Sequence, residues 1–280
     1  MPARIRIDRL LVERGLFESR AKAQAAIAAG LVTADDVPVA KPSAEFSADA
    51  VIRAEPAFPW VSRAGVKLAH ALDRLGFDVT GRVGLDVGAS TGGFTEVLLA
   101  RGARRVYAVD VGRDQLHARL RARPEVVSLE GTDIRELAAT ADVGWAKAPA
   151  PCPPGGQSLM GAVPTVTRHG KRLCPPYVLD PPPDVVTVDV SFISLKHVLP
   201  VALALAAPRA ELIALIKPQF EAGKRYIKKG IVREAAVHDA VCADITAFVR
   251  ALGCEVVALV PSPITGSDGN REFFIGARRG

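Results

Sequence analysis

From residue 83 onward, short apolar runs alternate with helical stretches, which restricts the chain to a sheet covered by helices on both faces. The runs at 83–86, 105–110, 126–129, 185–189, 212–216, 255–260 and 273–276 have strand length and are apolar enough to be buried on both sides. The gaps between them leave room for crossover helices. This predicts an α/β fold with a doubly wound, mostly parallel sheet. Hydrophobic residues make up 49% of the 280 and aromatics only 5%, so an aliphatic core is expected. A helix from Ser62, carrying Val66, Leu68, Leu72 and Leu75 and ending at Gly76, leads into this sheet.

Residues 1–58 read as a separate, small α+β module. Ile7, Leu10, Leu11 and Leu16 give a first helix its apolar stripe, and Gly15 ends it. Ser19 caps a second helix at 20–29, which stops at Gly30. Short strands are expected at 31–33 and 37–39, around Asp35-Asp36, and at 51–54. Pro56, Pro59 and Trp60 mark the boundary, with a linker at 59–62 and the larger domain at 63–280. Residues 1–30 hold six basic side chains (Arg4, Arg6, Arg9, Arg14, Arg20, Lys22) against three acids, whereas 31–56 is net acidic. Any positive face of the module therefore belongs to its helices. The net charge of +6 favours an anionic partner.

Residues 144–183 hold ten of the 21 prolines and break the alternation, so this stretch is expected to be a disordered insertion without helix or strand. The four cysteines, Cys152, Cys174, Cys242 and Cys254, show no CxxC spacing, and Cys152, His169 and Cys174 lack a fourth ligand, so no metal is expected. The longest apolar stretch, 198–207, is broken by Pro200 and falls short of the ~18 residues that span a bilayer. Nothing resembles a signal peptide, and a reducing cytoplasm is the expected compartment.

The first strand of the sheet runs into Asp86-Val87-Gly88-Ala89-Ser90-Thr91-Gly92-Gly93-Phe94, where a helix begins. Small residues at such a turn let a ligand approach the backbone, and the helix N-terminus presents unpaired N–H groups. Asp110 ends the next strand, 22 residues beyond Gly88, where a carboxylate can accept two ribose hydroxyls. Asp133 is expected at the end of the third strand, in reach of an adenine edge. Ser90 at the middle glycine position weakens a dinucleotide reading, and Asp86 at the strand terminus favours S-adenosylmethionine, whose ammonium group calls for an acid.

Lys67, Asp189, Lys217 and Glu272 all lie at strand ends of one sheet edge or on the helix leading into it. Alone, each reads as an ordinary edge charge or, for Asp189, a helix cap. Together they can activate a hydroxyl, because a ribose proton must be accepted or its loss stabilised, and a lysine does this once burial or a second cation lowers its pKa. Lys217 is placed for that role, with Lys67 as second cation and the two acids orienting the amines.

The strings Val61-Ser62-Arg63-Ala64-Gly65-Val66-Lys67-Leu68, Asp86 to Phe94, Asp189-Val190-Ser191-Phe192-Ile193-Ser194-Leu195, Lys217-Pro218-Gln219-Phe220-Glu221 and Gly269-Asn270-Arg271-Glu272 closely resemble the TlyA family of ribosomal RNA cytidine 2′-O-methyltransferases. The resemblance covers nearly the whole chain except 144–183. It implies an N-terminal RNA-binding module like that of small-subunit ribosomal protein 4, and an FtsJ-like methyltransferase domain of the Rossmann-like class I type. It places the family's catalytic tetrad on Lys67, Asp189, Lys217 and Glu272, and its cofactor contacts on Asp86 to Phe94, Asp110, Asp133 and Asp189. The family's turn usually carries glycine where this chain has Asp36. The segment before Asp8 resembles members with a short extra N-terminal helix, which act on both 30S and 50S subunits.

Ribosomal RNA recognition relies on phosphates and shape. Arg4, Arg6, Arg14, Arg20 and Lys22 are the candidates on the module, and Lys224, Arg225, Lys228 and Lys229 form a candidate mobile basic lid. A monomer is expected. The competing readings are a membrane-active hemolysin, for which no spanning or strongly amphipathic segment is found, and a non-catalytic RNA-binding protein. Cys152 imitates a cytosine-C5 methyltransferase nucleophile. Cys174-Pro175-Pro176-Tyr177 and Asp180-Pro181-Pro182-Pro183 imitate an amino-methyltransferase string, but both precede the fourth strand.

Overall fold

The computed structural model describes residues 4–139, 166–168, 171–173, 179–266 and 268–280. They form two compact units, Met1–Arg63 and Ala64–Gly280.

In the first unit, β1 (Arg4–Arg6) leads into α1 (Ile7–Glu13), followed by α2 (Arg20–Ala28), β2 (Val32–Ala34), β3 (Val37–Pro38), β4 (Glu45–Ser47) and β5 (Ile52–Ala54). Ile7, Leu10 and Leu11 pack with Ala23, Ala26, Ile27 and Val32 in one core. Ser19 caps α2, its hydroxyl accepting from the Lys22 N–H. Leu16, expected on the apolar stripe, is exposed beyond Gly15. The strands β1 and β4, which pair antiparallel from Arg4↔Ser47 to Arg6↔Glu45, were not anticipated. β1 runs directly into α1 where the resemblance implies a short extra helix before Asp8, because its backbone groups pair with β4.

Asp35 and Asp36 make the two-residue turn from β2 to β3 with φ of 50° and 61°. Two consecutive positive φ values match the right-handed twist of a hairpin, and the second position strongly prefers glycine. Asp35 has a structural use, since its Oδ1 accepts from the Val51 N–H at 2.8 Å. Asp36 has only an exposed ion pair with Arg53, a contact of small worth. Asp36→Gly is therefore expected to stabilise this unit by about 0.5–1 kcal/mol. An unfolding midpoint that stays in place would show that the turn carries no strain.

The second unit begins with α3 (Arg63–Leu75). It continues through β6 (Val83–Val87), α4 (Gly93–Ala100), β7 (Arg105–Asp110), α5 (Ala118–Arg121), β8 (Val126–Glu130) and α6 (Ile134–Ala139). After the short strands β9 (Val166–Arg168) and β10 (Lys171–Leu173) come β11 (Val185–Val188), α7 (Leu195–Leu205), β12 (Ala210–Ile216) and α8 (Pro218–Glu221). A 3-10 turn at Lys224–Tyr226, α9 (Ala235–Ala251), β13 (Cys254–Pro261) and β14 (Phe273–Arg279) complete it.

Seven strands form the central sheet in the order β13-β14-β12-β11-β6-β7-β8, with β14 antiparallel to both neighbours. This is the expected mostly parallel sheet, with its last strand inserted between β12 and β13. Chain order reverses between β6 and β11, and the crevice beyond their carboxyl ends is where open α/β sheets bind ligands. The core against this sheet is aliphatic, as Leu85, Val186, Val188, Leu199 and Ile216 illustrate.

One expectation is corrected within 144–183. Val166–Arg168 and Lys171–Leu173 pair antiparallel, so this stretch does contain strand. Residues 165–173 carry no proline, so backbone donors remain for a ladder. Cys152, His169 and the string 174–177 lie outside the described residues.

Candidate active site

The β6–α4 turn is built around a buried acid. Asp86 is fully buried, and the Thr95 hydroxyl donates to its Oδ2 at 2.7 Å while the Thr187 hydroxyl lies 3.2 Å from Oδ1. Burial pushes the Asp86 carboxyl up to about 7; the Thr95 hydrogen bond pulls it down, and the nearby Asp189 charge adds to the rise. A carboxyl so held is poised to ionise when a cation arrives. Neither threonine was anticipated, although Thr95 stands one turn into α4 and Thr187 directly beside Asp86 in the β11–β6 register.

The loop has little spare volume. Gly88 has φ of +83°, and a β-carbon there would collide with the Asp189 carbonyl oxygen. This close approach brings the end of β6 against the end of β11. The Gly88 and Ala89 N–H groups both donate to the Val109 carbonyl, at 2.8 and 3.1 Å. Gly92, with φ of +94°, caps α4, and Ser90 and Thr91 form the exposed tip before Gly93. Phe94 is a correction: its ring is buried and stacks on Phe274 at 6.1 Å, so only its backbone faces the loop.

Asp110 ends β7 as expected, and its two oxygens accept from the Ser90 N–H at 2.8 Å and the Gly112 N–H at 2.7 Å. Its carboxylate is thus fixed at the loop's edge. Asp133 is a second correction, since β8 stops at Glu130 and Asp133 lies beyond it, at the start of α6. There its Oδ1 accepts from the Arg135 N–H at 2.9 Å, and the Arg135 guanidinium holds the carboxyl below its ordinary range. A capping acid one short turn past a strand reads in sequence like a strand-terminal one.

The four charged residues form two ion pairs. Lys67, on α3, reaches Glu272 with Nζ–Oε2 of 2.6 Å, and both side chains are buried. Lys217 Nζ lies 2.6 Å from Asp189 Oδ1, in an approach that lacks directed hydrogen-bond geometry, and donates to the Ser191 hydroxyl at 2.9 Å. Register explains their proximity. The β12–β14 ladder pairs Ile216 with Phe273, so one further step puts Lys217 across from Glu272. In the parallel β11–β12 ladder Val188 pairs with Ala214, which brings Asp189 to the same edge.

The strap from Asp189 to α7 is held rigidly. Glu221 accepts from the Ser194 hydroxyl at 2.6 Å and the Leu195 N–H at 2.8 Å, which ties the strap to α8. Phe192 on that strap is 91% exposed with φ of +65° and leans on Phe220 at 5.1 Å. A bulky residue in left-handed backbone is uncommon and is retained where neighbours enforce it.

The basic candidates of the first unit are all engaged within it. Arg6 and Arg20 both donate to buried Asp8, at 3.1 and 2.7 Å. Arg14 donates to the Ala48 and Ala50 carbonyls, Arg4 to the Glu45 carbonyl, and Lys22 to Glu18. Arg6 and Arg20 nevertheless remain about half exposed. No ion pair among the described residues involves Lys224, Arg225, Lys228 or Lys229, all of which are exposed.

The FtsJ-like methyltransferase family pattern matches residues 60–279, and the S4 domain pattern matches 5–52. The 16S/23S rRNA (cytidine-2'-O)-methyltransferase TlyA of Mycobacterium tuberculosis is 37% identical over 99% of this chain and 91% of its own length. The chain belongs to the TlyA family of FtsJ-like methyltransferases. Hemolysin A of Brachyspira hyodysenteriae is 32% identical over 96% of this chain and 98% of its own. A solved structure from Streptococcus thermophilus, named as a hemolysin, is 34% identical with a TM-score of 0.67, covering 100% of this chain and 90% of that one. In this TlyA-family chain, no helix among the described residues is long and apolar enough to cross a membrane.

Proposed function

We propose that this chain transfers a methyl group from S-adenosylmethionine to the 2′-hydroxyl of cytidine in ribosomal RNA, 16S in the 30S subunit and 23S in the 50S subunit. The observation that carries this reading is the two lysine–carboxylate pairs, Lys67–Glu272 and Lys217–Asp189, at the same sheet edge as the Asp86 loop. The unit at 1–58 anchors the RNA through Arg4, Arg6, Arg14, Arg20 and Lys22. It joins through the linker 59–62 to the methyltransferase domain at 63–280. The protein works as a monomer in the cytoplasm, where ribosomal subunits are.

The chain's own residues fit the donor. Asp86 is a buried carboxyl suited to an ammonium group, and the backbone of Gly88, Ala89, Ser90, Thr91, Gly92 and Gly93 makes a narrow bed. Asp110 takes the ribose hydroxyls, and Asp133, oriented by Arg135, faces the adenine edge. S-Adenosylmethionine supplies an electrophilic methyl group there. Lys217 passes its ammonium proton to Asp189, 2.6 Å away, and its neutral Nζ, oriented by Ser191, then accepts the 2′-hydroxyl proton. Lys67, held by Glu272, offsets the negative charge that develops on the ribose oxygen. The exposed face of Phe192 gives the cytosine a surface to stack on.

Incubating the protein with labelled donor and purified 30S or 50S subunits should put label into RNA; label confined to protein or absent from both subunits would refute the reading. Donor affinity should also follow pH. Because burial pushes the Asp86 carboxyl up to about 7, it is mostly protonated at pH 6, and ionising it for an ammonium partner then costs binding energy. S-Adenosylmethionine should bind about tenfold more weakly at pH 6 than at pH 8, with a proton released on binding at the lower pH. Calorimetry in buffers of different ionisation enthalpy reads both. A pH-independent Kd would remove Asp86 as the ammonium's partner.

A further inference from the structure

The basic stretch between α8 and α9 is a clamped hairpin rather than the mobile lid that its sequence implies. Lys228 and Ile231 exchange two backbone hydrogen bonds, at 3.0 and 3.1 Å, around Lys229 (φ 52°) and Gly230 (φ 79°). Two buried polar side chains hold its base. Asn270 accepts from the Val232 N–H at 3.0 Å and donates to the Gly230 carbonyl at 2.9 Å. The His238 Nε2–H donates to the Val232 carbonyl at 3.0 Å. The stretch starts at Lys224, three residues after α8, the helix that Lys217 opens, and it is fastened to the residue two before Glu272.

A surface turn gains nothing from such anchoring unless its position matters, since exposed lysines bind phosphate adequately on a flexible tether. Flexible cations lose entropy on binding, whereas fixed ones do not. We propose that Asn270 is a positioning residue for the RNA substrate. It sets Lys228 and Lys229, with Lys224 and Arg225 beside them, as a preformed cradle for a backbone phosphate near the nucleotide being modified. This rests on the reading of ribosomal RNA as substrate and assigns how that RNA is held.

Asn270→Asp is the discriminating substitution. It keeps the acceptor for the Val232 N–H but replaces the donor to the Gly230 carbonyl with an oxygen, so one half of the clamp becomes repulsive. In the full-length protein, tryptic cleavage within 224–229 should accelerate about tenfold, and affinity for 30S subunits should fall about tenfold, the scale expected from one broken buried hydrogen bond. Calorimetric S-adenosylmethionine affinity should stay at the wild-type value, which separates a loosened hairpin from a misfolded domain. In a Lys228→Ala/Lys229→Ala background, Asn270→Asp should add little further loss of subunit binding, because both changes act through the same cations. Additive losses, or unchanged cleavage, would overturn the proposal. If Asn270→Asp fails to bind donor, Asn270→Ser serves for the same measurements with the same outcomes. Absence of methyl transfer by the wild type would refute the proposed activity instead, leaving the cleavage result as a direct reading of the clamp.

Discussion

Lys217→Ala is expected to lower methyl transfer by about 10²–10⁴-fold, the range that a positioned proton acceptor supplies, with donor affinity preserved. The donor bed lies at the β6–α4 turn, whereas Lys217 is on the far side of β11, at the end of β12. Its amine touches Asp189 and Ser191 and none of the residues from Asp86 to Gly93. Ser191→Ala tests the orientation of that amine separately. It removes the 2.9 Å contact but leaves the ion pair, so it should cost roughly one hydrogen bond's worth of rate, about tenfold. Turnover of Lys217→Ala near the wild-type level would exclude it as the proton acceptor.

Glu272→Ala is expected to be the most destabilising single change in the site. Lys67 and Glu272 are among the few buried charged residues, and their pair is nearly dry. Removing one partner leaves the other charge buried without compensation, a loss of about 3–5 kcal/mol. The Glu272 carboxylate also packs against Gly266, and its backbone carbonyl accepts from the Ser262 N–H at 2.9 Å, so the surroundings are already close-fitting. Replacing both members, Lys67→Met with Glu272→Leu, should restore much of that stability, because apolar isosteres need no partner. Transfer should stay lost in the double variant. Recovery of activity along with stability would mean that the pair is a structural staple without a part in the chemistry. Urea unfolding with parallel transfer assays separates the two.

The sequence disclosed the sheet well because its inner strands are short, mostly apolar runs, and their burial leaves few other ways to read 83–86 or 212–216. The run at 255–260, expected to be buried on both sides, instead alternates in the edge strand β13, with Val257 and Leu259 exposed. Asp189, Lys217 and Glu272 were visible for the same reason, as polar breaks at the ends of such runs, and Lys67 as a charge on the helix leading into the sheet. Their pairing was not visible. Lys67 and Glu272 are 205 residues apart, and only the antiparallel insertion of β14 beside β12 brings Glu272 opposite Lys217. The strands β1 and β4 escaped notice because Arg4-Ile5-Arg6 and Glu45-Phe46-Ser47 each hold one apolar side chain between two polar ones, too short a run to show an alternating period. Phe94 was legible in principle, since Phe94, Val97 and Leu98 follow helical spacing and all three are buried. The glycine-rich context drew it into the ligand loop instead. Asn270 and His238 gave no signal, because a polar residue in a loop, as Asn270 is, or on a helix, as His238 is on α9, looks solvated until the fold buries it.

The account turns on where the methyl group lands. A 2′-O-methyl ribose protects the adjacent phosphodiester from alkali, so alkaline digestion of subunit RNA labelled by the wild-type protein should leave the label in an alkali-stable dinucleotide whose 5′ member is cytidine. Label recovered in mononucleotides carrying a methylated base would contradict it.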